Sequence, residues 1–396
     1  MPPTVIGFYI ETGSSITGGP RVAYNLMKAL DRGRYRPVAI TNTEGELAQW
    51  LRDAGVTVHI IAQPKRIGED DGGTLKGGRL GQLLAALDLY TFNRKAARVL
   101  EAEGAELLWV RNVKGVLLTG LAARKLKIPL IWDIGMEKPS RGMMRRLHNL
   151  AFKTSAKVVT EGSFVAPSIF DEDQLARFGG KIVVNTPALA PDRVEVVRRG
   201  HMTPADQDGR FRVLSVATVN DRKNQMMLVR AVAQLKDRYP RVHVRIAGPA
   251  TDERYEQDLK AYIAEHGLGG HVKLLGWRSD IPELLHGSDL FTLTSRVEGI
   301  PQSILEAMYA RVPVVATAAG GVPDVVEDGV TGRLIAIDDE ATYIDALADC
   351  LAHPEKLERY AEAAYQKACD TITTAQWYQR YETIFDQLLG KGAGVS

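Results

Sequence analysis

Glu298 and Glu306 stand eight residues apart in the stretch TLTSRVEGIPQSILEAMYARVPVVATAAGGVPDVVEDGVTGRLI (292–335). The first lies in a loop punctuated by glycine and proline. The second lies inside a run whose apolar residues recur at helical spacing. Between them Gly299, Ile300 and Pro301 lead straight into that helix, and proline suits a first helical turn, where its missing N–H is no loss. Such a loop aims several backbone N–H groups and the positive end of a helix dipole at one spot, a place for a phosphate. Glu306, about a turn and a half deeper, can accept hydrogen bonds from the vicinal hydroxyls of a ribose. Glu298, on the loop, can do the same for sugar hydroxyls. A diphosphate flanked by a ribose and a hexose describes a nucleotide-sugar.

Two glutamates eight apart on a surface loop and helix also arise by chance, so the flanking elements decide. A strand-like run, SDLFTLTS (288–295), precedes the loop, and a buried strand, VPVVAT (312–317), follows the helix. Gly320–Gly321 then opens a further helix over 322–327. This is a βαβα unit whose ligand loops all leave the carboxyl ends of strands, where open α/β sheets bind ligands.

The rest of the chain repeats that alternation. VIGFYI, PVAITN, TVHIIA, LLWVR, PLIWD, KVVTEG and IVVN alternate with helical stretches in the N-terminal half. FRVLSVAT, VHVRIAG, VKLLGW, DLFTLTS, VPVVAT and GRLIAI do so in the C-terminal half. Apolar runs of this length, bounded by Gly, Pro or charge, mark a parallel sheet covered on both faces. The stretch 187–210 mixes prolines and charges and reads as the linker. The expected fold is therefore α/β: two Rossmann-like, doubly wound parallel-sheet domains, residues 1–195 and 205–374. A last helix over 375–392 carries an apolar stripe of Trp377, Tyr381, Ile384 and Leu388 that must pack on something.

At 396 residues the chain exceeds the size at which one core keeps growing, which agrees with two domains. A net charge of +2 gives no general attraction to nucleic acid. No apolar run is long enough to span a bilayer. The N-terminus enters VIGFYI without a basic leader, so a cytoplasmic protein is expected, with Cys350 and Cys369 as reduced structural thiols. Eight histidines and two cysteines show no metal-ligand spacing.

The run E-G-I-P-Q-S-I-L-E-A (298–307), followed by P-V-V-A-T, G-G-V-P and D-G-V-T-G-R-L, resembles the C-terminal half of retaining GT-B glycosyltransferases of family four. The spacing E-x7-E matches as Glu298 and Glu306. Upstream, V-A-T-V-N-D-R-K-N-Q (216–225), R-I-A-G-P (245–249) and L-L-G-W (274–277) resemble that family's other landmarks in its order. The likeness is good over about 211–340 and weaker over 1–200, where G-G-P-R-V-A-Y-N-L (18–26) is similar to the family's first glycine-rich turn.

The resemblance implies a GT-B fold whose domains face each other across a cleft, with the last helix crossing back to the N-terminal domain. It implies transfer of a sugar from a UDP- or GDP-linked donor to a hydroxyl acceptor with retention, no obligatory metal and no other cofactor. Charge growing on the departing diphosphate then needs preorganised cations and dipoles. Lys223 aligns with the family's lysine, and Arg222 is beside it. The family's arginine five residues earlier is Thr218 here: Arg222 compensates, the diphosphate is held less strongly, or the motif is offset by one residue. Gly18 and Gly19 would close over the donor phosphates, Gly321 and Val322 would open a helix near the sugar, and Gly276–Trp277 would meet the base. Trp277 either stacks on that ring or packs in the core.

On the acceptor side, Trp132 or Asp133 stands where many members of the resembled family carry a histidine. Asp133 ends the strand PLIWD. Asp133 could orient an acceptor hydroxyl or take its proton, or simply form a turn. Glu161 is placed toward the cleft by the same register. Residues 141–157 hold Arg141, Arg145, Arg146, Lys153 and Lys157 with no acid, and Met143, Leu147, Leu150 and Ala151 recur at helical spacing. That pattern fits a peripheral contact with a membrane bearing a lipid-linked acceptor, or an ordinary solvated face. Residues 65–82 read as a loop on the acceptor side. The acceptor is a glycan, a lipid-linked or a small-molecule hydroxyl, with a role in cell-surface polysaccharide or related glycoconjugate synthesis. Alternative readings are a GT-B epimerase or phosphorylase, or a non-catalytic sugar-nucleotide-binding scaffold.

Overall fold

The computed structural model describes residues 2–11, 19–64, 66–67, 79–135, 137–200 and 208–391. Gly18, residue 65 and residues 68–78 lie outside the described residues, and the end of the stretch expected as a 65–82 loop is helical from Arg79. The chain divides into two compact units, residues 1–185 with 378–396, and residues 186–377.

Unit 1 runs β1 (Thr4–Ile10), α1 (Gly19–Ala29), β2 (Tyr35–Thr41), α2 (Glu46–Asp53), β3 (Thr57–Ile60), α3 (Arg79–Ala102) and β4 (Leu107–Arg111). It continues through α4 (Asn112–Leu126), β5 (Leu130–Ile134), α5 (Gly142–Thr154), β6 (Lys157–Thr160), α6 (Val165–Ile169), α7 (Glu172–Phe178) and β7 (Ile182–Val184). Its seven strands are parallel in the order β3-β2-β1-β4-β5-β6-β7. The apolar runs of the sequence become strands buried on both faces, β1 and β5 along their whole length. Trp132 of β5 packs edge-on against Phe152 and Phe170 in the core beneath α5.

Unit 2 runs α8 (Pro191–Arg199), β8 (Phe211–Val216), α9 (Gln225–Leu235), β9 (Val242–Ala247), α10 (Glu253–Glu265), β10 (Val272–Gly276) and α11 (Ile281–His286). There follow β11 (Leu290–Leu293), α12 (Gln302–Tyr309), β12 (Val314–Thr317), α13 (Val322–Val325), β13 (Arg333–Ile335), α14 (Glu340–Ala352), α15 (Glu355–Thr371) and α16 (Thr374–Leu389). Its six parallel strands are ordered β10-β9-β8-β11-β12-β13. Every strand read from the sequence is present, and both sheets are doubly wound.

Three details differ from the sequence reading. The 187–210 stretch is not all linker: Pro191 opens α8, which buries Val197 in the core of unit 2. The division accordingly falls at 185/186 rather than near 195–205. The helix after Gly320–Gly321 is one turn, Val322–Val325, because Val326 adopts an extended conformation. No helix among the described residues is long and apolar enough to cross a membrane. Cys350 in α14 is buried, and burial pushes its thiol up to about 11. Cys369 in α15 is half-buried, and neither forms a disulfide.

From Tyr378 onward α16 belongs to unit 1 and is tied there by polar bonds as well as by Tyr381, Ile384 and Phe385. The Tyr35 phenol donates to Asp386 Oδ1 at 2.6 Å, Arg34 pairs with Glu382 at 3.0 Å, and the Tyr381 phenol donates to Asp133 Oδ2. A buried phenol on a carboxylate contributes about 1.5–3 kcal/mol. Tyr381→Phe is expected to destabilise unit 1 by about that amount in denaturant unfolding; an unchanged midpoint would contradict a stabilising Tyr381–Asp133 bond.

Candidate functional site

In an open parallel sheet, ligands bind outside the carboxyl ends of the strands where the strand order reverses. In unit 2 that point lies between β8 and β11, which pair directly. The loop leaving β8 carries Lys223, and the loop leaving β11 carries Glu298. The structure brings the two together: Lys223 Nζ donates to Glu298 Oε1 at 2.6 Å and to Oε2 at 2.7 Å. Ser295 Oγ donates to the same Oε1 at 2.5 Å. Glu298 is 8% exposed, so its charge is desolvated and needs these partners.

Each side of the pair is braced. Asn220 accepts the Lys223 N–H at 3.1 Å and starts a single 3₁₀ turn, Asp221–Lys223. Asn224 follows in the left-handed conformation, and Thr294 Oγ1 donates to the carbonyls of Lys223 and Asn224 at 3.1 and 2.9 Å. Thr317, at the end of β12, donates to the Ser295 carbonyl at 2.6 Å. Three neighbouring strand ends therefore hold one cation and one carboxylate in register.

The β12–α13 loop leans on the Glu298 loop. Gly321 N donates to Gly299 O at 3.1 Å, and Val322 is buried beneath. Gly320 has φ +53°, and a Cβ there would lie 1.9 Å from the Glu298 carbonyl oxygen. Only glycine meets both conditions. Pro301 is the N-cap of α12 rather than its first-turn residue, with ψ 112° holding the chain extended before Gln302. Ile300 and Gly299 are half-buried between Glu298 and that cap.

Glu306 lies on α12 and is bound by Arg193 of α8, Nε to Oε1 at 2.6 Å. Thr218 is half-buried; its hydroxyl accepts from Asn220 Nδ2 at 3.1 Å, and its carbonyl from Gln225 Nε2 at 2.9 Å. Arg222 is exposed, and its carbonyl accepts from Arg296 N at 2.8 Å. Arg296 also pairs with Asp221 at 2.6 Å and Asp338 at 2.8 Å. Gly276 closes β10 with φ +63°, and its carbonyl takes the Gly248 N–H at 2.7 Å. Trp277, next in chain, is 72% exposed and so is not a core residue.

The remaining residues belong to unit 1. Gly19 begins α1. Asp133, at the end of β5, is 2% exposed and has both oxygens engaged, one by Arg111 at 2.5 Å and one by the Tyr381 phenol. Arg111 also binds Glu161. Both carboxylate oxygens of Asp133 are thus occupied within unit 1, and the catalytic role expected of it requires one of these bonds to give way to a hydroxyl. Among the described residues no cluster of His, Cys, Asp and Glu is arranged to hold a metal ion.

Sequence reasoning missed Ser295, Arg193 and Arg111, and it named Gly320 only as opening a helix and Tyr381 only as part of an apolar stripe. Arg193 had a signal, since Pro191 followed by Val194 and Val197 is a helix start with an apolar face. The partners of Asp133 had none.

Two outcomes are expected. Gly320→Ala destabilises unit 2 by about 1–3 kcal/mol or more, read as a fall in the denaturation midpoint; an unchanged midpoint would contradict the close approach. Burial raises the Asp133 carboxyl from 3.8 to about 6, against the pull of Arg111 and Tyr381. Between these values the folded chain holds a proton that the unfolded chain has released. The contribution of Asp133 to stability is therefore fully present below about pH 4 and lost as pH rises through about 6. Comparing Asp133→Asn with the parent across pH 3–8 should show that this component has disappeared.

Residues 203–367 match the family model of glycosyl transferases group 1. The chain is 34% identical over 148 residues to the lipopolysaccharide core biosynthesis mannosyltransferase LpsB of Rhizobium meliloti, covering 36% of this chain and 42% of that one. The chain spans about half the length of the curated relatives it matches. Among solved structures, a glycosyltransferase from Rickettsia africae superposes with TM-score 0.77 at 16% identity, over 98% of this chain and 99% of that one. Anabaena HepE in complex with UDP gives 0.70 at 20% identity, over 97% and 100%. The chain thus has the GT-B fold, and residues 203–367 carry the pattern of glycosyl transferases group 1.

Proposed function

We propose that this chain is a retaining glycosyltransferase, of the family-four type, that moves a sugar from a nucleoside-diphosphate donor to a hydroxyl acceptor in glycan biosynthesis. The observation that carries the reading is the Lys223–Glu298 pair at the β8/β11 switch point, beside the Gly299–Pro301 loop that opens α12. The match of residues 203–367 and the likeness to a lipopolysaccharide core mannosyltransferase support it.

On this reading the roles follow from charge. Lys223 meets the negative charge that grows on the diphosphate as the sugar–phosphate bond breaks, and the backbone N–H groups of Gly299 and Ile300 add to it. Glu298, fixed by Ser295, presents oxygen to the sugar hydroxyls. Glu306 takes the ribose hydroxyls. Gly19, with Gly18, serves the donor phosphates, and Arg222, four residues after Thr218 in the chain, compensates for the arginine that Thr218 replaces. Trp277, exposed after β10, offers a face on which a base can stack. The acceptor is a glycan, lipid-linked or small-molecule hydroxyl, and the donor carries UDP or GDP. No metal is required to offset the diphosphate.

The first test is thermal unfolding with UDP, GDP, ADP and TDP, for the parent and for Glu306→Ala. A ligand that binds only the folded state raises the melting temperature with concentration. One nucleotide should do so and lose the effect in the variant; no shift with any of the four would overturn the reading. With the donor identified, Lys223→Ala is expected to lower kcat about 100-fold or more and to change KM less, since the charge it meets is largest in the transition state. Turnover equal to the parent's would remove Lys223 from the leaving-group role.

A further inference from the structure

We propose that the outer face of α3, α4 and α5 in unit 1 is a docking surface for an anionic phospholipid bilayer. These helices lie side by side: Asn93 of α3 donates to the Leu117 carbonyl of α4, and Thr154 of α5 packs against Gly120 of α4. On α3, Leu83, Leu87 and Tyr90 form one line at i, i+4, i+7, and each is more than half exposed. On α5, Met143 and Leu150 are 45% and 51% exposed, and Leu121 of α4 is 52% exposed. Large apolar side chains set on three adjacent helices exceed what scattered exposure on a soluble surface leaves.

The cations choose the occupant. Arg146 and Lys153 are exposed on the same line of α5 as Met143 and Leu150, spaced 143, 146, 150, 153. Arg94 continues the α3 line, and Arg124 follows Leu121 on α4. Helices α4 and α5 contain no acidic residue. Four carboxylates nearby already have partners: Asp88 is bound by Arg66, Glu101 lies 3.9 Å from Lys125, and Asp171 and Asp173 take Arg145, while Glu172 between the last two is exposed. Arg145 is thus withdrawn from the basic set read from the sequence, and Leu147 and Ala151 turn toward the core. What stays outward is apolar and cationic together. That combination suits the headgroup boundary of an anionic leaflet, where Leu and Tyr enter the acyl edge and Arg and Lys meet phosphate.

The experiment is co-sedimentation of the full chain with phosphatidylcholine vesicles and with vesicles containing phosphatidylglycerol, at low and high salt. Binding is expected to the anionic vesicles only, and to weaken as salt rises. Arg124→Glu/Arg146→Glu should lower it roughly tenfold or more, and Leu87→Ser/Leu121→Ser/Leu150→Ser should lower it at unchanged charge. Arg238→Glu, an exposed charge reversal in unit 2, should leave it intact. Melting temperatures of these surface variants should match the parent's. Absence of binding to anionic vesicles at low salt overturns the proposal. Equal loss with Arg238→Glu overturns it too, because the attraction would then be general. So does a parent that self-associates in solution until the leucine variants are made, since a second copy would then cover the face.

Discussion

The arrangement of unit 2 depends on one desolvated charge. Glu298 leaves the end of β11 almost without solvent contact, and a carboxylate so placed costs several kcal/mol unless it is paired. The cation that pairs it comes from the loop after β8, the strand beside it in the sheet. Satisfying that charge therefore fixes two loops at the one point where the sheet order reverses. The bracing contacts follow from the same need. Ser295 takes a carboxylate oxygen, Thr294 holds the backbone beneath Lys223, and Gly320 lets the β12 loop close on the Glu298 carbonyl. A hydrophobic pair would be a simpler way to join two strand ends, and often a more stable one. What the ionic pair adds is a cation and a carboxylate held rigidly at the sheet's ligand-binding edge.

Unit 1 places a comparable device at its own carboxyl edge. Arg111 ends β4, Asp133 ends β5 and Glu161 follows β6, so one guanidinium joins three successive strand ends. The fourth member, Tyr381, arrives from α16 near the end of the chain. The consequence differs from that in unit 2. Here the carboxylate at the strand end is closed by the returning helix, while Glu161 keeps more exposure than Asp133. If a group of this network faces an acceptor, Glu161 has more room to do so than Asp133, whose two oxygens are held by Arg111 and Tyr381.

The fold was legible because a parallel sheet covered on both faces writes itself as short apolar runs, and the thirteen strands among the described residues follow such runs. The spacing of Glu298 and Glu306 was legible because loop and helix are contiguous in sequence. Their partners were not. Lys223 lies 75 residues from Glu298, Arg193 lies 113 from Glu306, and Tyr381 lies 248 from Asp133. No local period encodes a pairing that only the folded topology creates. Lys223 entered through a family resemblance, whereas Asp133 looked like an available strand-end carboxylate because the helix that covers it is remote. Proline and charge made 187–210 look like a linker, although the proline is the start of a helix. Trp277 could be read either way because a lone tryptophan carries no periodicity, and exposure alone separates the two readings.

Arg193 changes how Glu306 must be understood. It sits in the first turn of α8, where a cation is disfavoured by the helix dipole, and the Glu306 carboxylate at 2.6 Å offsets that. The same bond holds Oε1 in one direction. Under the proposed function a ribose then meets a carboxylate that is oriented in advance, with Oε2 free of Arg193. The ligand would have to compete with a guanidinium only if it demanded both oxygens. Preorganisation of this kind lowers the ordering cost of binding. It also links α8, a segment outside the contiguous motif, to the residue that meets the ribose on the proposed reading. Under the proposed function a substitution in α8 would therefore alter donor affinity without touching the nucleotide, through the orientation of Glu306 alone.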